Sequence, residues 1–260
     1  MYFITFEVKI VNLNIMKNYV LLVLMLSFLP TTAQKLYKKD LLDLEKNIYK
    51  QAINNFDLET AKDATYHIIA LEGEQSKYLD TLAVIYFNQK NYLSCLKVSD
   101  RILKKEEKLS ILELKAVSLE NLNATKEAID VYEKIYQQKK EAYIAYKLAL
   151  LQQQLKRSAE AYATLKSAEQ LKFPDKAVIT FPGAKKDTVQ QVPFKAAYYN
   201  LLAMVSYDLH NYDMALKYFD EALKVYPDFF VAKQNKQAIA LMKKKLESNN
   251  NTNNTNKTLK

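Results

Sequence analysis

The side chains that most often do chemistry are few in this 260-residue chain, and they lie far apart. There are two histidines, His67 and His210, and one cysteine, Cys95. A metal site or a catalytic triad needs such groups in a cluster, and a phosphate-binding loop needs several glycines, whereas the chain has only Gly73 and Gly183. We therefore predict that the protein is not an enzyme, and that it has no catalytic residue, no metal site and no cofactor.

Cys95 has two interpretations, a reactive thiol or a small side chain in a packed helix. A reactive thiol needs a histidine or a basic group beside it, and the sequence pattern places none there. We interpret it as a buried small residue. As the single cysteine, it also excludes an intramolecular disulfide.

Residues 1–33 have the pattern of a secretory signal peptide. Met16 and Lys17 begin a charged region, an apolar run follows from Tyr19 to Leu29, and small residues end it at Ala33. The pattern predicts cleavage after Ala33 and a periplasmic or secreted protein. The apolar run is short of the roughly 20 residues of a membrane span, so no transmembrane span is expected in the mature chain. An uncleaved anchor or a buried helix is the alternative, and translation from Met16 is a further hypothesis.

The composition favours a helical protein, with 49% apolar residues and only two glycines. Its clearest pattern lies between Lys195 and Phe229, where two amphipathic segments flank the turn at His210. Apolar or small residues recur at spacings of three and four in both segments, and Pro227 ends the second. Helices this short cannot bury their apolar faces alone, so neighbouring helix pairs must stack on them.

This stretch resembles a tetratricopeptide repeat, a 34-residue pair of helices. The matching positions are Tyr199, Leu202, Ala203, Ala215, Phe219, Ala222 and Pro227. Ser206 departs from the family pattern, which usually has an aromatic residue there.

Weaker copies precede this stretch. The small residues equivalent to Ala215 are Ala61, Cys95, Ala128 and Ala161. Their spacings are 34, 33 and 33 residues, and then 54, which is one period plus an insertion of about 20 residues. The resemblance therefore implies an all-α protein, a right-handed α-solenoid of about five helix–turn–helix repeats with a C-terminal capping helix and one inserted hairpin or loop.

The predicted repeat domain covers residues 34–246. Its units are 42–74, 76–108, 109–141, 142–171 and 196–229, with an insertion at 173–194 and a cap at 230–246. The tail at 247–260 is rich in asparagine and threonine, and we expect it to be disordered.

The insertion contains β-branched segments on either side of Pro182 and Gly183, which predicts a small hairpin or an ordered loop. Insertions in repeat arrays fall on one face. Two interpretations stay open, an arm that contacts a partner and a loop packed on its neighbours.

The resemblance also implies a concave groove, lined by the first helices of the repeats, that binds a peptide or a helix. The residues that it places there are Lys46, Lys50, Asp80, Phe87, Glu113, Tyr143, Tyr146, Gln153, Asn200, Met204 and Tyr207. The basic residues of family members that clamp a peptide carboxylate are missing from units two to five. Packing of some of these residues against the insertion is the alternative.

We therefore predict a non-enzymatic interaction scaffold of the cell envelope with an unidentified protein or peptide partner. The formal net charge is +9, and removal of residues 1–33 takes away two lysines and one glutamate, which leaves +8. A basic module that binds nucleic acid or an anionic envelope polymer is the alternative function. Because the lysines are spread along the chain, no specific nucleic acid is expected. Self-association is a third possibility.

Overall fold

The computed structural model describes residues 17, 19 and 36–258, with side chains as far as residue 248. The proposed cleavage site and most of the predicted signal peptide lie outside these residues. Within the described part, no helix combines the length and the apolar character that crossing a membrane requires. The fold is all-α with one small antiparallel sheet, which confirms the predicted helical-repeat architecture with an inserted hairpin.

The helices follow one another in pairs. They are α1 (36–54), α2 (Leu58–Glu72), α3 (Tyr78–Asn88), α4 (Tyr92–Leu103), α5 (Leu109–Asn121), α6 (Thr125–Gln138), α7 (Ala142–Gln154), α8 (Ser158–Ala168), α9 (Phe194–Asp208), α10 (Tyr212–Val225) and α11 (Phe230–Thr258). The strands β1 (Val178–Pro182) and β2 (Val189–Pro193) lie between α8 and α9.

The turn inside each pair is the same in all five pairs. It has three residues, and its middle residue adopts a left-handed backbone conformation with φ between 57° and 61°. These middle residues are Phe56, Lys90, Asn123, Lys156 and His210. The following amide donates to the carbonyl five residues earlier, as from Asn91 N to Tyr86 O at 2.9 Å. This bond satisfies a carbonyl that the end of the first helix leaves without a partner.

The second helix of each pair buries a small residue at its fourth position. These residues are Ala61, Cys95, Ala128, Ala161 and Ala215, and each has 0% exposure. The slot predicted from the sequence spacing is thus confirmed, including the burial of Cys95. Asp57 and Asn211 cap their helices by accepting the amides of Thr60 and Met214.

The described helices form two compact units, unit 1 up to Val98 and unit 2 from Ser99. A small cluster in unit 1 packs Ala52, Ala61 and Ile85 with Tyr49. In unit 2 the core runs from α7 to α11 and is rich in aromatic side chains. Phe194, Tyr198, Phe219 and Phe229 are all at most 1% exposed there.

The insertion forms the predicted hairpin, with Ile179 opposite Val192 and Phe181 opposite Gln190. Its turn requires Gly183, because a Cβ there would lie 2.4 Å from the Thr188 hydroxyl oxygen. One face of the hairpin is anchored in unit 2. Val192 is fully buried, and the ring of Phe181 lies 4.8 Å from that of Phe229.

Gln190 fixes the hairpin to the connection between α10 and α11. Its side-chain amide donates to Asp228 O at 2.6 Å, and its carbonyl oxygen accepts from Phe230 N at 3.1 Å. The inner face therefore agrees with the interpretation of a loop packed on its neighbours, and the outer face is exposed.

The last helix differs from the sequence expectation. We predicted that the cap would end at residue 246 and that residues 247–260 would be disordered, whereas α11 continues to Thr258. The asparagines are poor helix formers, but extending an existing helix avoids the cost of nucleation.

Candidate protein-binding surface

In unit 2, the first helices of the pairs are α5, α7 and α9, and polar side chains join them. Lys147 of α7 lies 2.5 Å from the carboxylate of Glu120 in α5. At the other end of α7, Gln153 donates to Asp208 of α9 at 2.7 Å. These links fix the position of α7 between its two neighbours.

Tyr132 also donates its hydroxyl to Glu120. Burial, followed by this hydrogen bond to a carboxylate, raises the pKa of the Tyr132 phenol well above its usual value. The phenol is therefore neutral at physiological pH and serves as a donor to Glu120, which leaves the carboxylate well held between Tyr132 and Lys147.

An aromatic cleft of about 380 Å³ opens at the start of α7. Tyr143 and Phe173 are its aromatic walls, and Tyr143 is 40% exposed. The buried ring of Phe194 supports both, at 5.7 Å from Tyr143 and 5.9 Å from Phe173. The other lining residues are Lys140, Glu141, Ala142, Leu171, Lys172, Pro174 and Asp175. The cleft combines an apolar floor with a rim of two cations and two anions.

A second, smaller cleft of about 200 Å³ lies between α9 and α11, and we call it the methionine cleft. It is lined by Met204, Tyr207, Asn235, Ala238, Ile239 and Met242. Asn235 Nδ2 lies 3.4 Å from the Met204 sulfur, and Tyr207 Oη lies 3.8 Å from the Met242 sulfur. Two flexible thioether side chains make this an adaptable apolar surface.

Two of the predicted groove residues lie in the interior instead. Tyr146 is 5% exposed and packs edge-on against Phe194 at 5.4 Å. Burial raises the pKa of its phenol to about 12. Asn200 is 6% exposed, and its Oδ1 has no hydrogen-bond partner in the described structure. Neither side chain is displayed on the surface, because Phe194 packs against Tyr146 and Asn200 is enclosed within the fold.

The remaining predicted residues are distributed over both units. Lys46, Lys50, Asp80 and Phe87 lie in unit 1, where Lys46 pairs with Glu72 at 2.7 Å. Glu113 lies in unit 2, 3.6 Å from Lys139. Of the predicted residues, Tyr143 lines the aromatic cleft, and Met204 and Tyr207 line the methionine cleft. Their binding role stays a prediction.

Sequence reasoning missed the residues that complete the clefts. The aromatic cleft takes Leu171, Phe173 and Pro174 from the beginning of the insertion, and the methionine cleft takes Asn235 and Met242 from α11. An aromatic residue immediately before a proline was the available signal for Phe173. The groove positions implied by the resemblance contain neither segment.

Comparison with known proteins identifies repeats in two parts of the chain. Residues 54–135 match the family model of the anaphase-promoting complex, cyclosome, subunit 3, and residues 196–229 match the tetratricopeptide repeat. No curated protein matches the chain.

Solved structures of similar fold include the three proteins that follow. YrrB, described as a TPR protein with an unusual peptide-binding site, is 14% identical, with a TM-score of 0.58 over 74% of this chain and 89% of that one. A tetratricopeptide repeat protein from Parabacteroides merdae is 16% identical, with a TM-score of 0.57 over 79% and 75%. MamA from Desulfovibrio magneticus is 16% identical, with a TM-score of 0.56 over 74% and 98%. At these identities the likeness concerns the fold, and with the two family matches it supports a tetratricopeptide-repeat protein.

Proposed function

From this tetratricopeptide-repeat fold, we propose that the protein is a non-enzymatic scaffold of the cell envelope that holds a segment of a partner protein on the first-helix side of unit 2. The observation that carries the proposal is the exposed ring of Tyr143 in the aromatic cleft, backed by the buried Phe194. Rigid aromatic rings that are partly exposed are the residues that most often dominate protein interfaces.

The two clefts differ in what they can accept. The aromatic cleft has room for an apolar or aromatic side chain, with polar neighbours meeting Lys140, Glu141, Lys172 and Asp175 at the rim. The methionine cleft is about half as large and suits an aliphatic side chain. A partner segment with two apolar anchors fits this pattern.

The distribution of ion pairs favours this function over binding of nucleic acid or an anionic polymer. Many lysines of unit 2 are already engaged by carboxylates, such as Lys115 with Asp100, Lys147 with Glu120 and Lys236 with Asp220. A polyanion would have to compete with these pairs. Partner binding should therefore depend only weakly on salt, whereas polyanion binding falls steeply as salt rises.

Photo-crosslinking in the native envelope tests the proposed site. A photoreactive phenylalanine at position 143 should trap a defined partner, and the same group at Tyr37, which is 71% exposed on α1, is the matched control. The proposal predicts a crosslinked product at position 143. Added Tyr143→Ala protein, which lacks the photoreactive group, should compete poorly for the partner and leave this product in place. Identical products at both positions, or none at 143, would contradict it.

Export is a separate part of the proposal, since it rests on residues 1–33. Cell fractionation followed by N-terminal sequencing should find the protein in the envelope fraction or the medium, beginning at Gln34. Recovery in the cytoplasm with Tyr19 to Leu29 still attached would contradict export. The proposed binding surface would not be affected by that result, because crosslinking tests it separately.

A further inference from the structure

The outer edge of β1 takes no part in the packing of the inserted hairpin on unit 2. Hydrogen-bonded pairs alternate along an antiparallel ladder. The bonds from Phe194 N to Ala177 O and from Gly183 N to Thr188 O set this alternation. The backbone groups of Val178 and Thr180 therefore point away from β2. Within the described residues, no backbone hydrogen bond reaches them from that side.

The edge of β1 is also the more open of the two edges. Every residue of β1 is exposed or half-exposed, and Val178 is 52% exposed. The strand β2 runs directly into α9. Both strands end in a proline, Pro182 in β1 and Pro193 in β2, so neither donates an amide hydrogen at its last position.

The charge around the hairpin is positive at both ends of β1. Lys176 lies two residues before the strand, and Lys185 and Lys186 lie in the turn after it. All three are exposed, and the structure shows no ion-pair partner for them among the described residues. Residues 172–195 contain five lysines and two aspartates, Asp175 and Asp187, which gives a net charge of +3.

From this edge and these charges, we propose that β1 binds an extended acidic segment of a partner protein as a third strand of the sheet. Main-chain hydrogen bonds to Val178 and Thr180 supply the pairing, and the lysines select for acidic side chains. The same lysines repel a second copy of the hairpin, since like charges would face each other. The anchoring by Gln190 and Val192 holds the edge in place before binding, which lowers the cost of ordering it. Neither Val178 nor Thr180 lines either cleft, so the pairing edge is distinct from both.

The test uses the full chain and a fluorescein-labelled heptapeptide of alternating glutamate and valine, with binding followed by fluorescence anisotropy. The acidic peptide should bind, and a peptide of alternating lysine and valine should not. Thr180→Pro removes one outward amide hydrogen and should weaken binding by about tenfold. Gln191→Pro makes the same change on the outer edge of β2 and should change affinity by less than about twofold.

A second pair of variants leaves the hairpin backbone intact. Lys185→Ala/Lys186→Ala should weaken binding severalfold, whereas Lys244→Ala/Lys245→Ala, which removes the same charge from the exposed side of α11, should not. Protection of the Phe230 amide from hydrogen exchange, which depends on Gln190, shows that each variant retains its hairpin.

Three results would overturn the proposal. They are absence of binding to the acidic peptide, equal loss of affinity in the two lysine pairs, and a hairpin-dependent dimer in sedimentation experiments. The last result would assign the edge to a second copy of the chain. Crosslinking at Tyr143 is unaffected by these outcomes, so the two proposals fail independently.

Discussion

Units 1 and 2 use the same turn inside each helix pair and both contain polar bridges, but the last helices of unit 2 also pack around several buried aromatic rings. In unit 1, polar bridges are prominent. Gln89 donates to Glu59 at 2.7 Å, and the hydroxyls of Tyr66 and Tyr86 form a hydrogen bond. Across α1 and α2, His67 lies 3.0 Å from Glu45. These contacts lie near the surface, where each contributes little net stability.

Unit 2 holds its last helices with aromatic rings. Phe173 packs edge-on against Tyr198 at 4.9 Å, and Tyr199 is stacked on Tyr218 at 6.4 Å. Large rings bury more apolar area than the alanines and isoleucines of unit 1, and they leave slots into which other side chains can insert. The hairpin uses such slots for Phe181 and Val192. The two units therefore share the backbone turn of the repeat, and the insertion packs on the unit whose last helices are rich in aromatic rings.

The strongest test of this difference is Phe194→Ala. Phe194 is 1% exposed and contacts the rings of Tyr143, Tyr146, Phe173 and Tyr198. The substitution leaves a cavity and should lower the free energy of unfolding by about 3–5 kcal/mol in urea titrations. Phe56→Ala in unit 1 is the control, since that ring is 90% exposed, and it should change stability by less than about 0.5 kcal/mol. Similar losses of unfolding free energy in both variants would contradict the proposed difference between the units.

The small-residue slots should be equally intolerant in both units. Ala61→Leu and Ala215→Leu each force a larger side chain into a fully buried position. Each should destabilise the protein by about 1–3 kcal/mol. Cys95→Ala, which keeps the slot small, should cost less than about 1.5 kcal/mol. Thermal unfolding of the three variants measures this, and a tolerated leucine in either unit would show that its slot is not equivalent.

The anchoring of the hairpin in unit 2 can be weakened without touching the aromatic core. Gln190→Ala removes the bonds to Asp228 and Phe230 and should cost about 1–2 kcal/mol locally. Hydrogen exchange at the Phe230 amide should accelerate accordingly. Gln191→Ala on the exposed face, which removes a hydrogen bond to Thr180, is the control and should leave that amide protected. Unchanged exchange in Gln190→Ala protein would mean that other contacts hold the hairpin.

The shared turn predicts a similar, smaller effect in both units. Lys90 and His210 have left-handed backbones, which cost most residues more than they cost glycine. Lys90→Gly and His210→Gly should each stabilise the protein by up to about 1 kcal/mol. Lys97→Gly, in the middle of α4, should instead destabilise it by about 1 kcal/mol. Urea midpoints distinguish the three, and destabilisation at either turn position would contradict the common conformation.

The smallest expected effect concerns the pair formed by Lys46 and Glu72 in unit 1. The hydrogen bond from Lys46, followed by that from Ser76, lowers the pKa of Glu72, and the bond to Glu72 raises the pKa of Lys46. The stability that the lowered pKa of Glu72 contributes is present above its ordinary pKa of 4.5 and is lost as pH falls through the lowered pKa. The stability that the raised pKa of Lys46 contributes is present below its ordinary pKa of 10.5 and is lost as pH rises through the raised pKa.

Because both side chains are partly exposed, the pair should contribute at most about 1 kcal/mol. Urea midpoints of wild-type and Lys46→Met protein between pH 3 and 11 should differ most near neutrality and converge at both ends. Lys50→Met, at an exposed position one turn further along α1, is the control and should show no such profile. A constant difference across the range would assign the effect to packing of the lysine stem.

The sequence was sufficient for the repeats and located the turn at His210, but it did not give the backbone conformation of the turns. The period appeared because Ala61, Ala128 and Ala161 must be small to let helices approach. Phe56, Lys90 and Lys156 gave no signal of the left-handed conformation, since they occupy positions where glycine would have been recognisable. Asparagine and histidine, at positions 123 and 210, are types that favour this conformation.

For the candidate site, the sequence placed Tyr143 and Met204 on first helices, and the structure brings each to a cleft. It could not show that Phe194 covers Tyr146, since a ring at the beginning of a helix points in a direction set by the preceding strand. The role of Gln190 was equally hidden, because a glutamine in a short strand usually faces solvent. These contacts depend on tertiary geometry, which periodicity does not contain.

The lengths of the connections have a practical consequence for engineering. Three residues separate the helices within every pair, and the left-handed residue and its hydrogen bonds leave no freedom there. Between pairs the length varies from three residues at 139–141 to the whole hairpin insertion. A fluorescent reporter or an affinity tag should therefore be accepted at 104–108, which lies between pairs, whereas the same graft at 155–157 would unfold the pair that it interrupts.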